Sequence, residues 1–485
     1  MAIYIDRSDC PDVNNISDRV ISYIIQQHQQ RLPRLEKLHS YYLAKNPVPM
    51  AVSADVAPAV VDLPKYTVDT LLGYYLGDPV KYTTNDDPNS IPLYDSVKAT
   101  VKNGEVIRIS SLKKSDVSIA PILRCYDRQS ISEVDSQLGK HLGIYGEAYE
   151  LLYASADEEP YPKSFVVDPR FCEMVRDTSI DHNKLFFFCY DLIKGINGIT
   201  YYRVYIYTNR HVHEYRSSSL VGKAICSSSL VGKAISTNRL TYSRVKKPVR
   251  HFFGEVPAIE YQNGSDRLAD FEPAISIVDK LNALTTERCL DKSKYVDSVL
   301  ALFGYSISDD ELDRLKKEKF IDSIPVDGRL EYVQKSFDEA SVHVLADDLK
   351  RYYHTVTGVV DLQSDLFAGN SSGQALKLKF FAMNTVVRSK IRSVEKGLRK
   401  RFEMYNYWLN ILGIMPELDR DDFTPVFTLS LPVDEQSIVN TVKQLRGIVD
   451  DETLLSQLWF VRDPKAVLEK VKKQVAEGTS TNSGS

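Results

Sequence analysis

His211 and His213, two residues apart, are the clearest pair of metal-binding side chains in the sequence. They fall in a strand-like stretch, which puts both on one face. A zinc centre needs three or four ligands, and no acid or cysteine stands at a telling distance from them. They read as a half-exposed strand pair. The acidic pairs Asp309-Asp310, Asp347-Asp348, Asp421-Asp422 and Asp450-Asp451 are of the type that holds two metal ions in a nuclease. Solvated faces and helix N-termini account for them more simply. Gly222-Lys223 and Gly232-Lys233 are followed by alanine and lack the upstream glycine of a phosphate-binding loop, and Gly139-Lys140-His141 fails the same test. H-E-x-x-H does not occur, and GNSSG at 369–373 has the G-x-S-x-G spacing but sits in a Gly- and Ser-rich loop with no strand before it, so it is not read as a nucleophile elbow. No catalytic residue, cofactor or site for ATP-driven work is therefore expected. The remaining chemistry is cationic: Lys377, Lys379, Arg388, Lys390, Arg392, Lys396, Arg399, Lys400 and Arg401, with Glu395 and Glu403 the only acids between Gly373 and Glu403. Such a row serves a solvated face, ion pairs with a neighbouring subunit, or contacts to phosphates. Helical spacing spreads it around most of the circumference.

The chain that must position these groups has 485 residues, 43% hydrophobic and 26% charged, enough for two to four domains with sizeable cores. With 61 basic and 65 acidic residues its formal charge is −4, which argues against a cationic nucleic-acid coat. Six scattered cysteines without a C-x-x-C pair predict reduced thiols in a cytosol rather than a disulfide framework or a zinc ribbon. The N-terminus lacks a signal-peptide pattern, and no apolar run approaches the ~20 residues of a membrane helix, so no membrane role is expected.

Ser17 and Asp18 open a helix with apolar positions at Val20, Ile21, Ile24 and Ile25, interrupted near Pro33 and resuming at Leu35, Leu38 and Tyr42. From Lys65 to Glu260 the pattern is mixed α and β. Tyr201–Tyr207 and His211–Tyr215 predict a hairpin across a turn without glycine. The nine residues SSSLVGKAI at 217–225 recur at 227–235, as expected of a local duplication in an exposed loop. Helices follow at Phe271–Asp291 and Asp338–Val356. Between them lies an insert with strands at Val296–Phe303 and Arg329–Val333 and a charged helix at Asp309–Lys319. Val342, Leu345, Leu349, Tyr352 and Val356 repeat at 3-4-3-4 spacing, the mark of a packing seam. After a Gly-, Ser- and Asp-rich loop, Leu376, Phe380, Met383, Val387, Ile391, Val394, Leu398, Phe402, Tyr405 and Leu409 hold one face of a helix nearly forty residues long. So narrow a stripe on so long a helix suits an assembly. A strand at Pro425–Leu431 and helices at Asp434–Leu445, Asp451–Trp459 and Asp463–Gln474 end the pattern before a small, polar tail.

Four stretches in this order resemble the portal proteins of tailed bacteriophages, in the branch typical of long-tailed phages of Gram-positive bacteria. KYTVDTLLGYYLGDPVKY at 65–82 is similar to the family's motif near the start of its wing. LGIYGEAYELL at 142–152 looks like a helix of the same domain. FAGNSSGQALKLK at 367–379 matches the F-x-G-N-x-S-G-x-A-L-K signature, and Val442–Gln474 resembles the crown helices. The likeness spans nearly the whole chain. It departs from the family in the duplicated segment and in GVVDL at 358–362, which lacks a common proline.

The resemblance implies an α+β portal fold with a mixed α/β wing, a two-helix stem, a small α/β clip, a long wing helix and a helical crown. Its parts would be an N-terminal helical arm (1–64), wing (65–268), stem helix 1 (269–294), clip (295–336) and stem helix 2 (337–357). A tunnel loop (358–373), long helix and wing return (374–432), crown (433–476) and disordered tail (477–485) would follow. It implies no enzyme but a ring, usually dodecameric, at one capsid vertex, through which double-stranded DNA is packaged and ejected. Implied partners are further copies of the chain, the terminase large subunit, a head-completion or adaptor protein, and scaffolding and major capsid proteins. Implied localisation is the virion, after assembly in the host cytoplasm. Asp361, Asp365, Gly369, Asn370, Ser372 and Gly373 would face the channel, and Asp309, Asp310, Lys316, Lys317 and Lys319 would dock the motor. Lys377, Lys379, Arg388, Lys390 and Arg392 would touch phosphates or a neighbouring subunit. A loop with two aspartates and no lysine or arginine from Val359 to Ser372 suits a bore that must not hold its cargo. Two other readings stay open: a non-channel DNA-binding virion scaffold, and a metal-dependent nuclease.

Overall fold

The computed structural model describes residues 3–46, 58–84, 119–155, 159–218 (without 197 and 199), 240–295, 299–303, 329–333, 339–362, 380–418, 423–429, 442–447, 450–456, 461, 467–468 and 470–471. Two compact units are present: residues 1–359 with 387–428, and residues 360–386 with 429–485. The first begins with β1 (Ile3–Ile5), α1 (Asp18–Tyr42), α2 (Leu63–Leu76), β2 (Lys81–Thr84), α3 (Ala120–Arg128) and α4 (Ile131–Tyr145). Strands β3 (Glu147–Ala154), β4 (Pro162–Val167), β5 (Cys172–Asp177), β6 (Lys184–Lys194), β7 (Thr200–Tyr207), β8 (His211–Ser217), β9 (Tyr242–Arg244), β10 (Val249–Arg250) and β11 (Ala258–Gln262) follow. Then come α5 (Ile275–Tyr295), β12 (Val299–Phe303), β13 (Arg329–Val333), α6 (Glu339–Thr357), α7 (Phe381–Ile411), which runs from one unit into the other, and β14 (Phe423–Val426). The second unit holds α8 (Asp451–Ser456).

One sheet has the order β1-β5-β6-β7-β8-β10, with β9 also on β8; β1 is parallel to β5 and the other pairs are antiparallel. A second runs β11-β3-β4, while β12 pairs with β13 and β14 with β2. Tyr202, Val204 and Ile206 alternate inward from β7 and meet Phe186, Phe188 and Tyr190 of β6 under Val20, Ile21, Ile24 and Ile25 of α1. The other face of β5 and β6 presents Cys172, Met174 and Phe187 to Tyr149, Leu151 and Val167 of the smaller sheet. The predicted β7–β8 hairpin closes without glycine because Thr208 organises the turn. Its Oγ1 donates to the His211 carbonyl at 3.0 Å and accepts from the His211 amide at 3.1 Å.

Three sequence expectations change. Helix α1 continues through Pro33 rather than breaking. Pro33 falls where the helix passes from the sheet core to a second core, built on Leu35, Leu38, Tyr41 and Tyr42 with Val68, Phe271 and Tyr353. Packing on both sides of the proline offsets the missing hydrogen bond. Ser17 caps α1 by position only, since its side chain makes no cap bond. The stretch 142–152 is helical only to Tyr145; Gly146 (φ +77°) ends α4, and β3 starts at Glu147. A Cβ at Gly146 would lie 2.1 Å from the Arg267 carbonyl oxygen, so glycine is required there by conformation and space.

Candidate functional site

Helices α5 and α6 pack as a pair, with the β12–β13 hairpin between them in sequence. Several bonds anchor the pair to the rest of its unit. Thr67 on α2 and Tyr353 on α6 share a buried 2.7 Å hydrogen bond. Tyr41 donates to Asp279 at 2.5 Å, and Arg34 pairs with Glu272 at 2.6 Å. The segment before α2 lies along α5: the Ala59 amide donates to Thr286 Oγ1 (3.0 Å) and the Val61 amide to Asn282 Oδ1 (2.8 Å). Arg288 and Glu339 join the two helices by an ion pair.

Among the described residues, much of the 3-4-3-4 stripe on α6 stays exposed. Leu345, Tyr352 and Val356 are 50%, 52% and 50% exposed, with Val344 beside them at 61%. Val342 and Leu349 are half-buried, and the residues α6 buries are Tyr353 and Thr357. The helix spends one narrow face on its own unit and leaves an apolar row at coiled-coil spacing in water. Asp347 and Asp348, on the polar side, pair locally with His343 at 2.9 Å and Arg351 at 2.7 Å, as befits a solvated face.

Gly358 (φ +68°) ends α6 in the left-handed conformation, and the His354 Nδ1 hydrogen donates to the Val359 carbonyl at 3.0 Å. Asp361, half-buried, lies in the second unit. Asp365, Gly369, Asn370, Ser372, Gly373, Lys377 and Lys379 lie outside the described residues, as do Asp309, Asp310, Lys316, Lys317, Lys319, most of the duplicated segment and the tail.

The long helix starts at Phe381 among the described residues and has 31 residues, about 46 Å of rise. Its apolar face is buried as expected, from Val387 through Val394, Leu398, Phe402 and Tyr405 to Leu409. The cationic row divides. Lys390 is 2% exposed and donates to Asp270 at 2.6 Å, which corrects its assignment to phosphate or inter-subunit contact: the ammonium is consumed inside its own unit. Arg401, fully buried, reaches Asp135 and Glu150, each at 2.6 Å. Burial opposes its charge, but the two carboxylates hold Arg401 well above the ordinary guanidinium range. Asp135 and Asp270 are pushed up by burial, partly offset by Arg401 and Lys390. Arg399 pairs with Glu395 at 2.9 Å, and Lys400 with Glu255 and Glu403. What remains exposed is Arg388, Arg392 and Lys396, at i, i+4 and i+8 on one side of α7.

Sequence reasoning counted Lys390 and Arg401 with the surface cations. A signal was present: both share the 4-3 spacing of Val387, Val394 and Met404, all buried. Gly397 belongs to the same face and lets α7 approach β11, where a Cβ would lie 2.0 Å from the Tyr261 ring. A further buried network escaped notice. Arg31, Arg176 and Arg267 surround Glu147, Glu173 and Glu260, joining α1, β3, β5 and β11, with Arg267–Glu260 at 2.6 Å and Arg31–Glu147 at 2.5 Å. His211 and His213 do share a face, but no group of three or more metal-ligating side chains occurs among the described residues. No helix among them is long and apolar enough to cross a membrane.

Comparison with known proteins supplies the frame for this surface. The family model described as phage portal protein, SPP1 Gp6-like, matches residues 21–480. The portal protein of Bacillus phage SPP1 is 20% identical over 294 residues, covering 60% of this chain; the match spans little more than half of that relative, 57%. Two solved assemblies are similar at 11% identity. They are the neck of an empty GTA particle computed with C6 symmetry (TM-score 0.42; 81% of this chain, 89% of that one) and the virion of a native gene transfer agent particle (TM-score 0.44; 87% and 92%). The assignment rests on the family match, which covers all but the first twenty and last five residues: the chain belongs to the SPP1 Gp6-like phage portal protein family, whose members are structural parts of the virion's head-to-tail connector and not enzymes.

Proposed function

We propose that this chain closes with identical copies into a ring, dodecameric, at one vertex of the phage capsid, and that double-stranded DNA enters and leaves through its axis. The observation that carries this reading is the uncovered Leu345–Tyr352–Val356 row on α6, a seam that a second copy's stem would complete. In this reading residues 269–294 and 337–357 are the stem, 295–336 the clip, 1–64 and 65–268 the arm and wing, 374–432 the long helix and wing return, and 433–476 the crown. The paired strands β12 and β13 between α5 and α6 fit a compact clip. The clip, through Asp309, Asp310, Lys316, Lys317 and Lys319, would dock the terminase large subunit during packaging and a head-completion or adaptor protein afterwards. Scaffolding and major capsid proteins would surround the wing.

The loop 358–373 would line the narrowest part of the channel. Its acids, Asp361 and Asp365, and its lack of lysine and arginine suit passage of a polyanion, because each phosphate neutralised by a cation strengthens binding and slows sliding. Arg388 and Arg392, with Lys396 in the same exposed row, remain suited to phosphates or to an acidic face of the next subunit. The protein would reside in the virion after assembly in the host cytoplasm. Negative-stain imaging of purified protein tests the reading. Rings with an axial hole are expected, with a mass near twelve copies of 55.0 kDa, about 660 kDa. A monomer that stays solitary at high concentration, with or without scaffolding protein, would overturn it.

A further inference from the structure

Cys172 and Cys189 are direct partners in the β5–β6 ladder. Opposed residues of an antiparallel pair point to the same face, with Cα atoms about 4.5 or 5.5 Å apart depending on the hydrogen-bonding position. Both separations fall within the roughly 4.4–6.8 Å spanned by disulfides. Both thiols are free and belong to the core between the two sheets, Cys172 fully buried and Cys189 half-buried. Cys172 Sγ donates to the Asp168 carbonyl at 3.3 Å, at the turn that leads into β5.

We propose that Cys172 and Cys189 form a cross-strand thiol pair that closes to a disulfide when a small oxidised disulfide such as oxidised glutathione reaches Cys189. Cys189, the more accessible thiol, attacks one glutathione sulfur as its thiolate. A bond forms between Cys189 Sγ and glutathione, and the first glutathione thiolate leaves. Cys172 then attacks Cys189 Sγ and releases the second. The two cysteine protons pass to the two glutathione thiolates, so two protein thiols are oxidised and one glutathione disulfide is reduced to two thiols. Opposed Cβ atoms lie about 4.5–5.5 Å apart, beyond the ~3.8 Å of a relaxed disulfide, so the strands close slightly and the bond is readily reduced. Burial pushes the Cys172 thiol well up, and Cys189 is pushed up to about 12 by burial and by Asp191, against a hydrogen bond with Tyr207. Closure is therefore slow at neutral pH and quickens about tenfold per pH unit as the thiolate fraction grows.

The test treats the native full-length protein with oxidised glutathione, quenches with acid, alkylates in denaturant and maps cysteines by mass spectrometry. Exposed Cys289 reports that the oxidant acted. The expected result is joint loss of alkylation at Cys172 and Cys189, with their two peptides linked at ~2 Da below the summed thiol masses and separated again by dithiothreitol. Replacement of half-buried Cys189 (Cys189→Ala) should leave Cys172 fully alkylatable, and Cys172→Ser should leave Cys189 as the mixed disulfide with glutathione. Wild-type Cys189 halted at the mixed disulfide, or both thiols still alkylatable once Cys289 is fully modified, would overturn the proposal.

Discussion

The body of the first unit and its α5–α6 helix pair handle unfavourable surface in opposite ways. The body draws charge inward and satisfies it. Lys390 meets Asp270, Arg401 meets two carboxylates, and three arginines meet three glutamates between the sheets. The helix pair turns apolar surface outward: Leu345, Tyr352 and Val356 stand half in water while the charges around them pair with their own neighbours along α6. A body that is complete within one chain beside a helix that is not is what a building block requires. The first satisfies its charges within itself, and in the proposed ring the second would supply the contact to the next copy.

The largest test of this contrast is Arg401→Met. Removing the guanidinium leaves the buried carboxylates of Asp135 and Glu150 with tyrosine hydroxyls but no cation, and urea unfolding should show a loss of about 3–5 kcal/mol. An unchanged midpoint would mean that α7 is held by its apolar face alone. Lys390→Ala should cost about 3 kcal/mol by the same mechanism, whereas Arg388→Ala and Arg392→Ala, on the exposed side, should each stay within about 0.5 kcal/mol. Equal effects at positions 388 and 390 would erase the division of the cationic row.

Acid sharpens the comparison further. His28 is buried between α1 and the sheet, where the Tyr190 hydroxyl donates to Nδ1 (2.9 Å) and Nε2–H donates to the Pro169 carbonyl (3.0 Å). Burial and the nearby Arg31 lower its pKa to about 4. A depressed histidine adds stability that is complete above its unfolded pKa near 6.5 and is lost as pH falls towards the folded value. His28 should therefore account for about 3 kcal/mol lost between roughly pH 6.5 and 4. The difference between wild-type and His28→Gln melting curves across that window isolates the effect. His141 and His213, lowered to about 4 chiefly by burial, act in the same direction.

Much of this was legible in the sequence because periodicity is a local property. The hairpin β7–β8, strand β13, helices α5 and α6 and the apolar face of α7 all follow from spacing of 2 or 3.6 residues. The misplaced features depend on partners distant in the chain. Lys390 looks like Arg388 until Asp270, 120 residues away, is brought beside it. Pro33 looks like a break until two separate cores grip the helix on either side. Gly146 looks like one more residue of a helix until the Arg267 carbonyl is seen to occupy the place of its Cβ. The exposure of the α6 stripe is of the same kind: the spacing predicts a packing seam, and only the folded chain shows that Leu345, Tyr352 and Val356 stay half exposed among the described residues.

The smallest effect on the chain itself and the most direct on its assembly belongs to Leu345→Ser combined with Tyr352→Ser. Both side chains are half exposed, so unfolding of the isolated chain should change by no more than about 1 kcal/mol. Mass photometry of this variant beside the wild type is the decisive measurement. The expected outcome is a wild-type particle near 660 kDa, twelve chains of 55.0 kDa, and a variant reduced to the single-chain mass with its melting curve intact. A variant that assembles as the wild type does, or a wild type that remains at the single-chain mass, would contradict the role assigned to α6.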